Sequence, residues 1–395
     1  MTAQRRTVVS GYTAVLVTLL AAVLVLAACG TGAKQTTTGH HPAAAATEPT
    51  FPLRAGERML SVQMTRPYRP AAPHGGTDDY RCFLLDPHLT QRAFLTGVGF
   101  MPGNPDVVHH AILFQVPAAQ VKAAETKDAQ TPGDGWTCFG GTGIPAPPGS
   151  ADSTGNGGWL DAWAPGGEPV TYADGLGIPV DAGSRVVLQV HYNLLAGDQP
   201  DQTGVRLRLT PASAKITPLE TVLFAAPVEL PCTAAEHGPL CNRDAAVKDV
   251  VSRFGAENAR TITGLQQYCG GDPKHPRAGA TQHCDQRAPF AMTVRAAAGH
   301  MHLLGRSVTV TVNPGTPQER VIVDVPQYDF DHQGLRPLAQ PVQIHKGDTV
   351  RVTCTHDAKL RSMLPALQKL PPRYVVWGEG TSDEMCLGIL SVTRP

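Results

Sequence analysis

Glycine and proline punctuate this chain so densely that long helices are excluded over most of its length. Its 395 residues include 40 glycines and 35 prolines. A glycine weakens a helix interior and a proline breaks one. Between these breaks lie short runs rich in β-branched and apolar residues: Ala93 to Val98, Val107 to Val116, Ser184 to Asn193 and Gly204 to Thr210. A proline-containing connection runs from Thr210 to Pro218. Beyond it come Thr221 to Val228, Ala288 to Ala298, Ser307 to Val312, Arg320 to Val325, Thr349 to Thr355 and Leu387 to Thr393. Runs of this length bounded by Gly, Pro, Asn or Asp read as strands. Their close spacing predicts an all-β protein of two consecutive β-sandwich domains, residues 53–212 and 213–395. Hydrophobic residues make up 42% of the chain, enough to fill two cores.

One stretch departs from the strand pattern. Residues 232–284 contain four cysteines and a helical repeat in which Val247, Val250, Val251 and Phe254 share a face. They predict a disulfide-stapled insertion in the second domain with one short helix, capped by Asp244 and ended by Gly255.

The N-terminus has a different logic. Arg5 and Arg6 precede an apolar run from Val15 to Leu26 that is too short to span a bilayer comfortably. It closes on Leu26-Ala27-Ala28-Cys29, a small-residue cleavage site of the bacterial lipobox kind. Residues 1–28 are therefore expected to be a lipoprotein signal peptide, with Cys29 the lipidated first residue of the mature chain. Residues 29–52 have no periodicity and read as a flexible tether, His40-His41 included. The expectation is an exported lipoprotein on the outer face of the cell membrane, held to it only by lipid. Lysine plus arginine equals aspartate plus glutamate, 33 against 33, so no net field favours nucleic acid. Setting Cys29 aside leaves an even number of cysteines in an exported chain, which predicts disulfides throughout.

Four places could carry chemistry. His109 and His110 are adjacent. Neighbours on a regular strand face opposite ways, so they share a metal only at a strand end or a bend. Gln189 and His191 lie on one face of a strand at period two. His300 and His302 repeat the i, i+2 spacing, which sets two imidazoles side by side for zinc or copper. Met385, between acidic residues and Cys386, offers a soft thioether suited to Cu(I).

Taken in order, these features and their surroundings resemble the copper type II, ascorbate-dependent monooxygenases, a family with peptide-hydroxylating and dopamine-hydroxylating branches. The resemblance spans roughly residues 75 to 395. It rests on Asp79-Tyr80-Arg81-Cys82, Val108-His109-His110, Ala162-Trp163-Ala164, Val187-Leu188-Gln189-Val190-His191-Tyr192, Gly204-Val205, His300-Met301-His302-Leu303-Leu304-Gly305 and Asp383-Glu384-Met385-Cys386. It implies two jelly-roll-like domains and two coppers per chain facing one another across a solvent-filled cleft. His109, His110 and His191 would hold one copper; His300, His302 and Met385 would hold the other. Gln189 would take a supporting role between them. The resemblance also implies the pairs Cys82–Cys138 and Cys354–Cys386, a small-molecule substrate, O2, and ascorbate as reductant. Positions that bind a peptide carboxylate in one branch are here Ala298, Leu387 and Ile389, which cannot do so. The competing reading is a copper-storing surface lipoprotein without activity. A zinc hydrolase built on His300 and His302 lacks a third hard ligand and a general base motif.

Overall fold

The computed structural model describes residues 51–72, 76–145, 158–195, 197–330 and 332–395. Residues 1–28, Cys29 and nearly all of the 29–52 tether, His40-His41 among them, lie outside this description. Residues 49–395 form one compact unit. Among the described residues no helix is long and apolar enough to cross a membrane.

The chain is mainly β. In its first half, one sheet runs in the order Arg58–Gln63, Gly204–Pro211, Ala93–Met101, Leu176–Val180 and Thr217–Pro218, with Val170–Thr171 also on Ala93–Met101. A second sheet runs Trp136–Thr137, Asp78–Leu85, Arg185–Asn193, Val108–Val116 and Trp159–Trp163. Leu95, Val98, Val205 and Leu207 of the first sheet share a core with Leu113, Leu188 and Val190 of the second. The central strand Arg185–Asn193 is buried on both faces from Val186 to Tyr192. Its other face, with Val187, packs on Phe114, Trp136 and the Cys82–Cys138 disulfide. An interior strand covered on both sides is a rigid mount for a side chain.

The second half repeats the plan with its own strands. One sheet runs Glu220–Ala225, Leu387–Thr393, Met292–His300 and Arg336–Ile344; the other runs Thr281–Arg287, Thr349–His356, Gly305–Val312 and Arg320–Val325. Val294, Leu390 and Val392 meet Val308, Val310, Val350 and Val352 in the core. In Thr349–His356 every second residue is buried, the period of a strand with one wet face. Two glycines let these sheets approach where the strand Met292–His300 ends. A Cβ on Gly299 would lie 2.3 Å from Val308 Cγ1, and one on Gly388 would lie 2.7 Å from Val310 Cγ2.

The 232–284 segment corrects its sequence reading in three ways. It holds two helices, Arg243–Phe254 and Ala256–Tyr268, rather than one. Gly255 ends the first at a φ of 84°, a conformation open to glycine, so a second helix restarts at once. The cap is Asn242, whose side chain accepts from the Ala245 N–H, while Asp244 sits in the first turn. Finally, Thr281–Arg287 is a strand of the main sheet on Thr349–His356, so the insertion ends before Cys284. Its polar, charged sequence hides the strand because one face is exposed. The cysteines pair Cys232–Cys241 and Cys269–Cys284, and the two pairs implied by resemblance, Cys82–Cys138 and Cys354–Cys386, are also formed.

Candidate metal centre

A break in strand pairing brings His109 and His110 together. Val108 pairs with Tyr192 and His110 with His191, so the register shifts across His109. Such a bulge puts an extra residue in one strand and re-aims its side chains. Both imidazoles thereby reach the ring of His191 on the neighbouring strand. The His109 and His191 Nδ1 atoms are 3.0 Å apart, and those of His191 and His110 are 3.3 Å apart. Bonds of ~2.0 Å from a metal to imidazole nitrogens would set neighbouring nitrogens of a tetrahedral set ~3.3 Å apart. The three rings fit one ion.

Around these rings the environment favours coordination. His191 donates its Nε2–H to Asp78 Oδ1 at 2.8 Å, which leaves Nδ1 bare and directed at the other two rings. Burial lowers the pKa of all three histidines. For His109 and His110 it is reinforced by repulsion from neighbouring rings, and for His191 it is offset in part by Asp78. Neutral imidazole is the form that binds metal. Burial alone would raise Asp78, but the bonds from His191, Thr381 and Thr77 outweigh it and hold the carboxyl well below its ordinary range.

The second set forms where the strand Met292–His300 ends. His300 is the strand's last residue, pairing with Leu387, and His302 lies just beyond it. The two therefore do not share a continuous strand face, yet their ring centroids are 5.3 Å apart. His300 Nδ1–H donates to Gln333 Oε1, and the Gln333 amide is oriented by donating to Phe330 O. His302 Nδ1–H donates to Asp383 O at 3.2 Å. Nε2 is thus the bare nitrogen on both rings, and on His302 it is buried without a partner. Burial first, then His302, lowers His300 to about 4. An orphaned, fully buried imidazole nitrogen suits a metal ligand and costs stability otherwise. Met385 lines the same cavity wall as His300 and is largely buried.

Glu384, beside Met385, ties this set together. Its carboxylate accepts the backbone N–H groups of His302 at 2.8 Å, Leu304 at 2.6 Å and Met385 at 3.2 Å, and lies 3.3 Å from His356 Nε2. Burial would raise this carboxyl, but His356 and the N–H donors lower it overall. The Cys354–Cys386 disulfide fixes the next residue. Arg253, at the end of the first insertion helix, donates to both oxygens of Asp383 at 2.7 and 2.8 Å. The insertion therefore clamps the loop that carries Met385.

The two ligand sets are neighbours. The centroids of His110 and His300 are 6.4 Å apart, and Phe330 of the second half stacks on His109 at 4.7 Å. The two halves are in contact at this point. A cavity of ≈ 1440 Å³ lies beside the pair, with His110, His300 and Met385 in its wall. Gln189 also reaches this wall. Its amide donates to Gly141 O at 3.1 Å and lies on the Cys82–Cys138 disulfide, an anchoring arrangement. Sequence reading missed Asp78, Gln333, Thr381 and Glu384. Only Glu384 had a signal, as part of the motif around Met385.

Residues 272–391 match the family described as copper type II ascorbate-dependent monooxygenase, C-terminal domain. Dopamine beta-hydroxylase from Rattus norvegicus is 29% identical over 236 residues, covering 58% of this chain and 31% of that protein. The Homo sapiens protein of the same name is 28% identical over the same shares. The chain thus spans about a third of the length of the curated relatives it matches. Among solved structures, the infectious bursal disease virus VP2 subviral particle aligns with 88% of this chain and 75% of its own at a TM-score of 0.18 and 8% identity, which carries no argument.

Proposed function

We propose, from the match of residues 272–391 to the copper type II ascorbate-dependent monooxygenase family and the similarity to dopamine beta-hydroxylase, that this chain is a two-copper enzyme that hydroxylates a C–H bond of a small organic substrate with O2. Copper and ascorbate are the cofactor and reductant of that family. On this reading the halves are jelly-roll-like sandwiches, each contributing one site, with Thr217–Pro218 still paired in the first half's sheet. The observation that carries the reading is the convergence of two imidazole sets from separate sheets, His109, His110 and His191 beside His300 and His302.

When bound, copper would supply stored electrons at the three-histidine site and the oxygen-activating centre at the other. The chain's own part is to hold the two sites unlike one another. Three imidazoles suit either oxidation state, whereas the Met385 thioether favours Cu(I). Asp78, Gln333 and the Asp383 carbonyl fix the ring tautomers. Trp163, Leu223, Leu335 and Ile389 give the adjoining cavity an apolar wall that would exclude water and hold an apolar substrate against His300 and Met385. Leu387 and Ile389, at two of the positions that hold a peptide carboxylate in one branch, line this wall without offering a carboxylate partner, while Arg295 and Arg336 line the same cavity elsewhere.

The test is copper per chain together with reductant-dependent O2 uptake. The intact chain should hold two coppers and His191→Ala one, and uptake should yield a hydroxylated product that carries oxygen from O2 by mass spectrometry. Two coppers with no uptake across a panel of small apolar substrates would favour the storage reading; a single copper in the intact chain would sink the two-site assignment. We further propose an exported lipoprotein anchored through Cys29, supported by the Leu26-Ala27-Ala28-Cys29 motif. Mass spectrometry of the mature N-terminus should find an acylated Cys29. An unprocessed Met1 terminus would overturn that placement.

A further inference from the structure

One loop of the second half, from Trp377 to Met385, touches both ligand sets. At one end Asp383 O accepts from His302 and Glu384 binds its backbone. In its middle, Thr381 reaches across to the first half. Its N–H and its hydroxyl both donate to Asp78 Oδ1, at 3.1 and 2.6 Å. That is the oxygen that accepts the His191 Nε2–H. Oδ2 of the same carboxylate accepts the Thr77 hydroxyl at 2.8 Å. Asp78 is 5% exposed, so water cannot readily replace these donors. A second contact runs in parallel: the Tyr80 ring stacks on His191 at 3.9 Å and 13°, while its hydroxyl donates to Glu379 O in the same loop. His191 is therefore gripped on its edge and on its face by groups that the 379–381 segment holds.

We propose that Thr381 is a positioning residue for the three-histidine site. It fixes the carboxylate that fixes His191, so that the first ligand set is complete only when a loop of the second half is docked on it. This rests on the reading of His109, His110 and His191 as copper ligands. It gives the loop bearing Met385 a direct hold on the geometry of the partner site. The site thought to store electrons would then be fully formed only beside the one that uses them.

The experiment isolates each site in the full chain. His300→Ala with His302→Ala leaves the three-histidine site, and His191→Ala leaves the other. Copper affinity is read by chelator competition, and the coordination of Cu(II) by its paramagnetic resonance spectrum. Thr381→Val keeps the backbone N–H and removes the hydroxyl. It should weaken copper at the three-histidine site about tenfold, the lower end of the range for groups that orient metal ligands, and shift its Cu(II) spectrum. Thr381→Ser should restore both, and the His191→Ala chain should bind copper equally well with Val or Thr at 381. No loss at the three-histidine site would overturn the proposal, as would equal loss at both sites, which would mean a loop disturbed as a whole. If the His300→Ala, His302→Ala chain with Thr381 intact takes up no copper, the three-histidine assignment fails and this proposal fails with it.

Discussion

Met385→His should leave two coppers on each chain and abolish reductant-dependent O2 uptake. Imidazole is a competent ligand for both copper states, so the metal stays. The thioether, however, is what makes the second site unlike the first. A third imidazole would move its preference toward Cu(II), the state that does not bind O2. For a one-electron couple each ~59 mV is a tenfold change in the ratio of the two states. A shift of ~120 mV would therefore leave about a hundredth of the reduced population. The buried surroundings should otherwise tolerate the change, because Glu384 and the Cys354–Cys386 disulfide hold residue 385 from both sides. The measurement is copper content and O2 uptake for wild type, Met385→His and Met385→Ile together. Met385→Ile should lose Cu(I) affinity as well as turnover. A fully active Met385→His protein would show that the thioether does not tune the oxygen-reactive site.

What the sequence made legible followed from local pattern, and what it concealed depended on pairing across the chain. The strands Arg320–Val325 and Leu387–Thr393 fall where β-branched residues and turn residues place them. Thr281–Arg287 does not, because its exposed face is polar and its partner, Thr349–His356, is far along the chain. The same holds for the site. His300 and His302 announce themselves by spacing, although the strand ends between them. His109 and His110 look incompatible with one ion on a regular strand, and only the register shift against His191 resolves this. Asp78 and Thr381 could not be found from sequence. They lie some three hundred residues apart, and each has meaning only through the oxygen they share.

Among the buried contacts of the second set, Glu384 should be the most costly to alter. A carboxylate is acceptor-only, and Glu384 is fully buried with three backbone N–H groups directed at it. Glu384→Gln keeps the shape but replaces one acceptor oxygen with an NH2 group. That group would meet at least one N–H donor head-on. Leaving one or two buried donors unsatisfied costs ~1–3 kcal/mol each, so the variant should lose roughly 1–6 kcal/mol and its thermal midpoint should fall. The loss has a specific location. His302 and Met385 are both anchored through this carboxylate, so copper at the second site should weaken by about 10- to 100-fold. The three-histidine copper, whose orienting carboxylate is Asp78, should stay bound. Calorimetry and site-resolved copper titration on the same preparation test this directly. An unchanged midpoint with both coppers retained would show that the turn after His300 holds its shape without Glu384.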